Sequence, residues 1–283
     1  MNRKAIIHVI LAVVLTLALS SCLEINETVR LNRDGTGSIV EETILGAQAS
    51  AMLQMAALQG GENAADLFGE DAAKKRAEKL GKGVTVGKME KINQDGRTGS
   101  RVVYHFTDIN QVTLNMSDGA SFLTTMSPEV AGAAGENADA VKPITFEYKD
   151  GQLTILNPQA NKEDLKALRD IPAKGPADSE ESEALADPQS AQMQAMAMQM
   201  MKDMKISAQI VIEPGIAKTD ATYHDQKTIT LMEMDMGKLM ANPDMMKQMQ
   251  QLDLSDPAAM EEKLKGLAGI KSERKEKISA TVK

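Results

Sequence analysis

Cys22 is the only cysteine in this chain, so it can join no internal disulfide and no cysteine-rich zinc site. Beyond an N-terminal apolar run, histidine occurs twice, as His105 and His224, and neither has a second His, Cys or carboxylate at a metal-ligand spacing. His105 alternates with Tyr104 and Phe106, which places it on the opposite side of a strand, exposed or paired across a hairpin rather than aimed as a general base. Adjacent carboxylates such as Glu41-Glu42 point to opposite faces of a strand, and Glu180-Glu181 fall in a linker, so neither makes an acid/base pair. No G-x-S-x-G elbow, phosphate-binding Gly-Lys loop or His-Glu-x-x-His helix occurs. The expectation is a chain that is not an enzyme and that carries no cofactor and no metal centre.

Methionine is the unusual residue: there are 20, against 4 Phe, 3 Tyr and no Trp. Met193, Met196, Met200 and Met204 recur at the spacing of one helical stripe, widened by Met198 and Met201. Met232, Met234 and Met236 alternate as at the end of a strand, and Met240, Met245, Met246 and Met249 return to helical spacing. Three chemistries compete. The thioethers replace the missing aromatics as flexible core filler, or they line an adaptable groove for an apolar ligand, a lipid or a partner helix, or they bind Cu(I) or Ag(I) in an oxidising compartment. Asn242-Pro243-Asp244-Met245-Met246-Lys247-Gln248-Met249 resembles the N-P-x-M-M-x-x-M repeats of client-binding chaperone segments, which favours the groove.

The loops Asn32 to Gly37 and Asn93 to Gly99 both open N-x-D-G, superficially like a calcium loop. An EF-hand needs an acidic ligand at its twelfth position, where counting from Asn32 gives Thr43. Asp-Gly is explained without an ion by turns that need φ > 0.

Asn2, Arg3 and Lys4 open the chain with two positive charges, followed by Ala5 to Leu19, apolar apart from His8 and Thr16. This is the layout of a secretory signal peptide over residues 1–21, shorter than the roughly 20 residues of a spanning helix and lacking a cationic stop. Its end, Leu19-Ser20-Ser21-Cys22, resembles the lipobox of bacterial lipoproteins. That resemblance implies cleavage before Cys22, lipidation of its thiol and acylation of the new amine, so that acyl chains such as palmitate anchor the mature chain to a membrane. Because Leu23 rather than Asp follows, the resemblance implies the periplasmic face of the outer membrane in a Gram-negative source, and otherwise the cell membrane. Losing residues 1–21 removes two basic and no acidic residues, moving the formal charge from −8 to −10. Acyl chains rather than a polybasic patch must then hold the protein at anionic lipid, and the same charge argues against nucleic acid as a partner.

To position these groups, the sequence offers hairpins. Leu23, Ile25, Val29 and Leu31 share one face, with Glu24, Asn26, Thr28 and Arg30 on the other, and Ser38 to Leu45 returns after the Asp34-Gly35 turn. Val84 to Ile92 and Ser100 to Thr107 form a second hairpin around 93–99, and Ile144 to Tyr148 with Gln152 to Leu156 a third around Asp150-Gly151. Lys205 to Ile212, Ile216 to His224 and Thr228 to Met234 supply further strands. Helices are expected at Gln48 to Gln59, Ala64 to Leu80, Ser190 to Met204, from Asn242, and at Ala258 to Leu267. Ser127 to Val141 reads as an Ala/Gly-rich excursion, 172–188 as an acidic Pro-containing linker, and 268–283 as a charged, frayed tail.

The expected fold is α+β: an antiparallel hairpin sheet with Ala/Met-rich helices packed on one face. Residues 22–171 form its strand-rich part with a helical insertion at 47–80, and 189–267 add Met-rich helices and returning strands to the same domain. The order of lipobox, immediate strand, D-G-T-G hairpin and helical insertion resembles uncharacterised bacterial lipoproteins, including the mycobacterial LppM-like group, over 19–45 and at Tyr104 to Asp108. The resemblance implies an extracytoplasmic, lipid-anchored protein whose role is binding or structural.

Overall fold

A computed structural model describes residues 23–58, 67–94, 96–115, 142–160, 204–241 and 269–283. In chain order these give β1 (Leu23–Leu31), β2 (Gly37–Leu45), α1 (Ala47–Leu58), α2 (Glu70–Leu80), β3 (Thr85–Gln94) and β4 (Arg97–Phe106). There follow β5 (Thr113–Leu114), β6 (Ile144–Lys149), β7 (Gln152–Leu156), β8 (Met204–Ile212), β9 (Ile216–Thr219), β10 (Thr228–Asp235), the short α3 (Met236–Met240), β11 (Ile270–Ser272) and β12 (Lys277–Val282). The described residues are thus α+β with strands dominant.

Two sheets, not one, are built from these strands. The larger has the order β11-β10-β8-β1-β2-β4-β3 and the smaller β5-β6-β7-β12-β9. Their facing sides share one core, to which Val29, Leu31, Ile39 and Ile210 come from the large sheet and Ile144, Leu153, Ile155 and Ile278 from the small one. One pairing departs from the antiparallel expectation. β1 runs parallel to β8, with Leu23 beside Met204 and Leu31 beside Ile212, a partnership across some 180 residues that no hairpin turn announces.

The turns follow the backbone chemistry of their residues. At Asp150-Gly151 both residues have positive φ, 51° and 76°, as a two-residue turn matched to strand twist requires. The second hairpin is tighter than the 93–99 loop expected from its polar composition: Gln94 pairs with Arg97, leaving only 95 and 96 between the strands. Gly99 therefore lies in β4 itself, and its reason is close approach, since a Cβ there would sit 2.0 Å from the Thr43 carbonyl oxygen.

Several other expectations are corrected. Residues 270–282 are not a frayed tail: β12 lies between β7 and β9, with Ile278 and Ala280 fully buried. Their alternation K-I-S-A-T-V sends the apolar residues inward, and the charges that suggested disorder collect in the 273–276 connection. Glu273 itself is 2 % exposed, and its carboxylate accepts from the Thr222 amide and hydroxyl and from the amides of Arg274 and Lys275. Met204 is the first residue of β8 rather than the end of a helix, and Met236 starts α3 rather than ending a strand, because the Asp235 carboxylate caps the Lys238 amide at 3.0 Å. The helix expected over Ala64 to Leu80 is interrupted by a bend at Phe68-Gly69 and runs on as Glu70–Leu80, Ala64 to Asp66 lying outside the described residues, and the strand from Ile216 stops at Thr219 rather than His224. Ser127 to Val141, the 172–188 linker, Ser190 to Asp203, the segment from Asn242 and Ala258 to Leu267 lie outside the described residues.

Candidate functional site

Cross-strand register lays out the inner face of the large sheet row by row. Leu31, Gly37 and Phe106 form one row, followed by Val29, Ile39 and Tyr104, then Glu27, Glu41 and Val102, then Ile25, Thr43 and Ser100, and last Leu23, Leu45 and Thr98. The first two rows meet the second sheet, and the last meets α1 through a cluster of Leu23, Leu45, Ala49, Leu53 and Phe68. Between these two apolar clusters the sheet carries a pair of glutamates at directly opposed positions.

Helix α2 lies over this gap. Ala73, Ala77 and Leu80 bury one side of it, while Glu70, Asp71, Lys74, Lys75, Glu78 and Lys79 face water. Gly69 supplies no capping side chain, but Glu70 and Asp71 place negative charge at the positive end of the helix dipole. The helix ends at Gly81, φ 131°, where a Cβ would sit 2.0 Å from the Gln111 carbonyl oxygen. Arg76 points from α2 down to the sheet. Its Nε donates to Glu41 Oε1 at 2.7 Å, its Nη2 lies 2.6 Å from the same oxygen, and Nη2 is 3.5 Å from Glu27 Oε1. All three side chains are less than one-fifth exposed, so the attraction acts with little screening by water.

Tyr104 closes the floor. It is 2 % exposed, and burial first, then the Glu41 charge, push its phenol well above the usual tyrosine range. It stays a neutral hydrogen-bonding group beside Glu41. The resulting cleft has a volume of about 340 Å³ and apolar walls from Ile25, Leu67, Phe68, Met89 and Val102. Lys75 and Lys79 are exposed at its rim. Charge is thus arranged in depth, with a paired Arg-Glu floor and a cationic edge. Such an arrangement can hold a small molecule with an apolar body and an acidic end.

The residues singled out in the sequence stand elsewhere. Cys22, Met193, Met196, Met200, Met245, Met246 and Met249 lie outside the described residues. Met204 is partly buried against Leu23 and its neighbours on one side and against Met236 and Leu239 on the other, which is a packing role. His105 is exposed on the outer face of the large sheet, and His224 is exposed beside the Asp225 carbonyl. Glu42 points outward, 3.5 Å from Asn26 Nδ2, while Glu41 points into the cleft. In the first turn Asp34 Oδ1 accepts from the Thr36 amide at 3.0 Å and hydroxyl at 2.7 Å, which holds its carboxyl below the usual carboxylate range. Among the described residues no three His, Cys, Asp or Glu side chains gather as metal ligands. Sequence reasoning missed Glu27, Arg76 and Tyr104 as a group with Glu41. The available signal was Glu27 itself, an acidic residue in phase with Ile25 and Val29 on the buried face of β1.

No family model matches the sequence, and no curated protein matches it. Among solved structures, the NMR structure of the folded domain of Mycobacterium tuberculosis LppM is similar over 77% of this chain and 85% of that chain, at 9% identity and a TM-score of 0.28. Likeness of that degree fixes neither fold nor function.

Proposed function

We propose that this chain is a lipid-anchored lipoprotein of the bacterial envelope with a binding rather than a catalytic role, and that the cleft beneath α2 is its ligand site. The lipobox Leu19-Ser20-Ser21-Cys22 supports the anchor, on the outer membrane's periplasmic face in a Gram-negative source and otherwise on the cell membrane. The observation that carries the binding role is the cleft itself. It separates two apolar clusters of one protein, although a filled core would be more stable, and it is walled by Ile25, Leu67, Phe68, Met89 and Val102 with lysines at its edge. The ligand class is a small amphipathic acid of the fatty-acid kind, its carboxylate at Lys75 and Lys79 and its hydrocarbon against Phe68 and Leu67.

The chain has no Trp, so Leu67→Trp installs a single reporter in the cleft wall. Titration of that variant with medium- and long-chain fatty acids should shift and quench its emission saturably. Adding Lys75→Glu and Lys79→Glu should weaken binding at least tenfold. An unchanged spectrum at saturating fatty acid would sink the ligand assignment. The anchor is checked separately by metabolic labelling with an alkynyl palmitate: the wild-type chain is expected to carry label, and Cys22→Ala none.

A further inference from the structure

We propose that α1 is a membrane-contacting helix, seated in the lipid headgroup region beside the anchored Cys22. The proposal rests on the lipid-anchor reading, which brings this end of the sheet to a membrane, and on the exposed apolar side of α1, which the anchor reading does not supply.

Helix α1 has the sequence AQASAMLQMAAL, without a charged residue. Ala49 and Leu53 bury its inner side against Leu23 and Leu45. On the opposite side Ala47, Ala51, Gln54, Met55 and Leu58 form one exposed stripe at i, i+4, i+7, i+8 and i+11. Met55 is 61% exposed and Leu58 88% exposed, the exposed large apolar side chains among the described residues. A helix on a water-facing surface puts charge outward, as α2 in this same molecule does with three acidic and three lysine side chains. α1 breaks that rule on a protein with a formal charge of −8.

Position identifies the occupant. Leu23 is the first residue of β1 and packs against α1, and one peptide unit of about 3.8 Å joins it to Cys22. A lipid attached to Cys22 therefore keeps the end of the sheet bearing Leu23 and α1 close to the bilayer surface. The charges of that end include Arg97, which is paired with Glu24 at 3.2 Å. At 12 residues, roughly 18 Å of helix, α1 is too short to cross, and no helix among the described residues is long and apolar enough to do so. A short apolar stripe beside the acyl chains adds a further membrane contact, one that fixes which side of the sheet faces the bilayer.

The test uses the mature chain, residues 22–283, with its single thiol Cys22 coupled to a maleimide phospholipid in phosphatidylcholine vesicles, so it runs whether or not cells acylate Cys22. Leu58→Trp on α1 and Lys74→Trp on α2 each introduce one Trp. The expected result is a blue-shifted Leu58→Trp emission, quenched at least twofold by brominated phosphatidylcholine, with Lys74→Trp unquenched. Equal, weak quenching of both on vesicle-bound protein overturns the proposal. A Leu58→Trp emission already blue-shifted without vesicles and insensitive to brominated lipid also overturns it, assigning the stripe to a protein segment or a second copy. Absence of a lipid on Cys22 in cells, read by mass spectrometry of the N-terminal peptide, would defeat the anchor reading alone.

Discussion

Arg76 Nε and Glu41 Oε1 stand 2.7 Å apart, a contact between residues 35 positions apart that fastens α2 to the floor of the cleft. The pair is mostly shielded from water and has Glu27 beside it, so its members are not interchangeable with neutral side chains one at a time.

Removing the guanidinium alone leaves two carboxylates facing each other across β1 and β2. Arg76→Met is expected to cost about 3 kcal/mol, in the range for breaking a buried ion pair. The triple variant with Glu27→Gln and Glu41→Gln should recover most of that loss. Urea unfolding of the two variants beside wild type measures both numbers.

Tyr104 makes a prediction at alkaline pH. Its folded-state pKa is raised above the unfolded value near 10, so its contribution to stability is intact below about pH 10 and is lost as pH climbs further, when only the unfolded chain ionises. Tyr104→Phe should therefore show a shallower fall in melting temperature above about pH 10 than wild type. Parallel slopes would contradict the burial-driven shift.

The C-terminal strand is expected to be indispensable. Ile278 is fully buried in the core, and truncating it to Ala should destabilise by about 2–5 kcal/mol. Deleting 277–283 should abolish cooperative unfolding, because β7 and β9 would both lose their partner. Calorimetry reads both effects.

Two glycines separate steric need from backbone need. Gly99→Ala would place its Cβ 2.0 Å from the Thr43 carbonyl oxygen, whereas a Cβ on Gly151 meets nothing within 4 Å and suffers only from φ 76°. Gly151→Ala is expected to cost about 1 kcal/mol and Gly99→Ala more than about 2 kcal/mol, with the β1-β2-β4 register disturbed. Denaturant midpoints of the two variants give the comparison.

What the sequence determined by itself is local. The period-two pattern of β1, the Asp-Gly turns, the Ala/Leu/Met-rich α1 and the outward face of His105 follow from side-chain alternation, positive φ and helix propensity, all of which act over a few residues. The 34–35 turn even fixes that Glu27 and Glu41 must oppose each other once β1 and β2 pair, and Glu27 in phase with Ile25 was legible as a charge on a buried face. The tertiary structure alone decided the rest. That β8 lies parallel to β1, that α2 lowers Arg76 between two glutamates, and that a charged C-terminal stretch completes the second sheet are contacts between residues far apart in the chain. Their energy comes from excluding water between surfaces that no sequence window contains together, and a segment such as KISATV acquires its buried face only when β7 and β9 stand on either side of it.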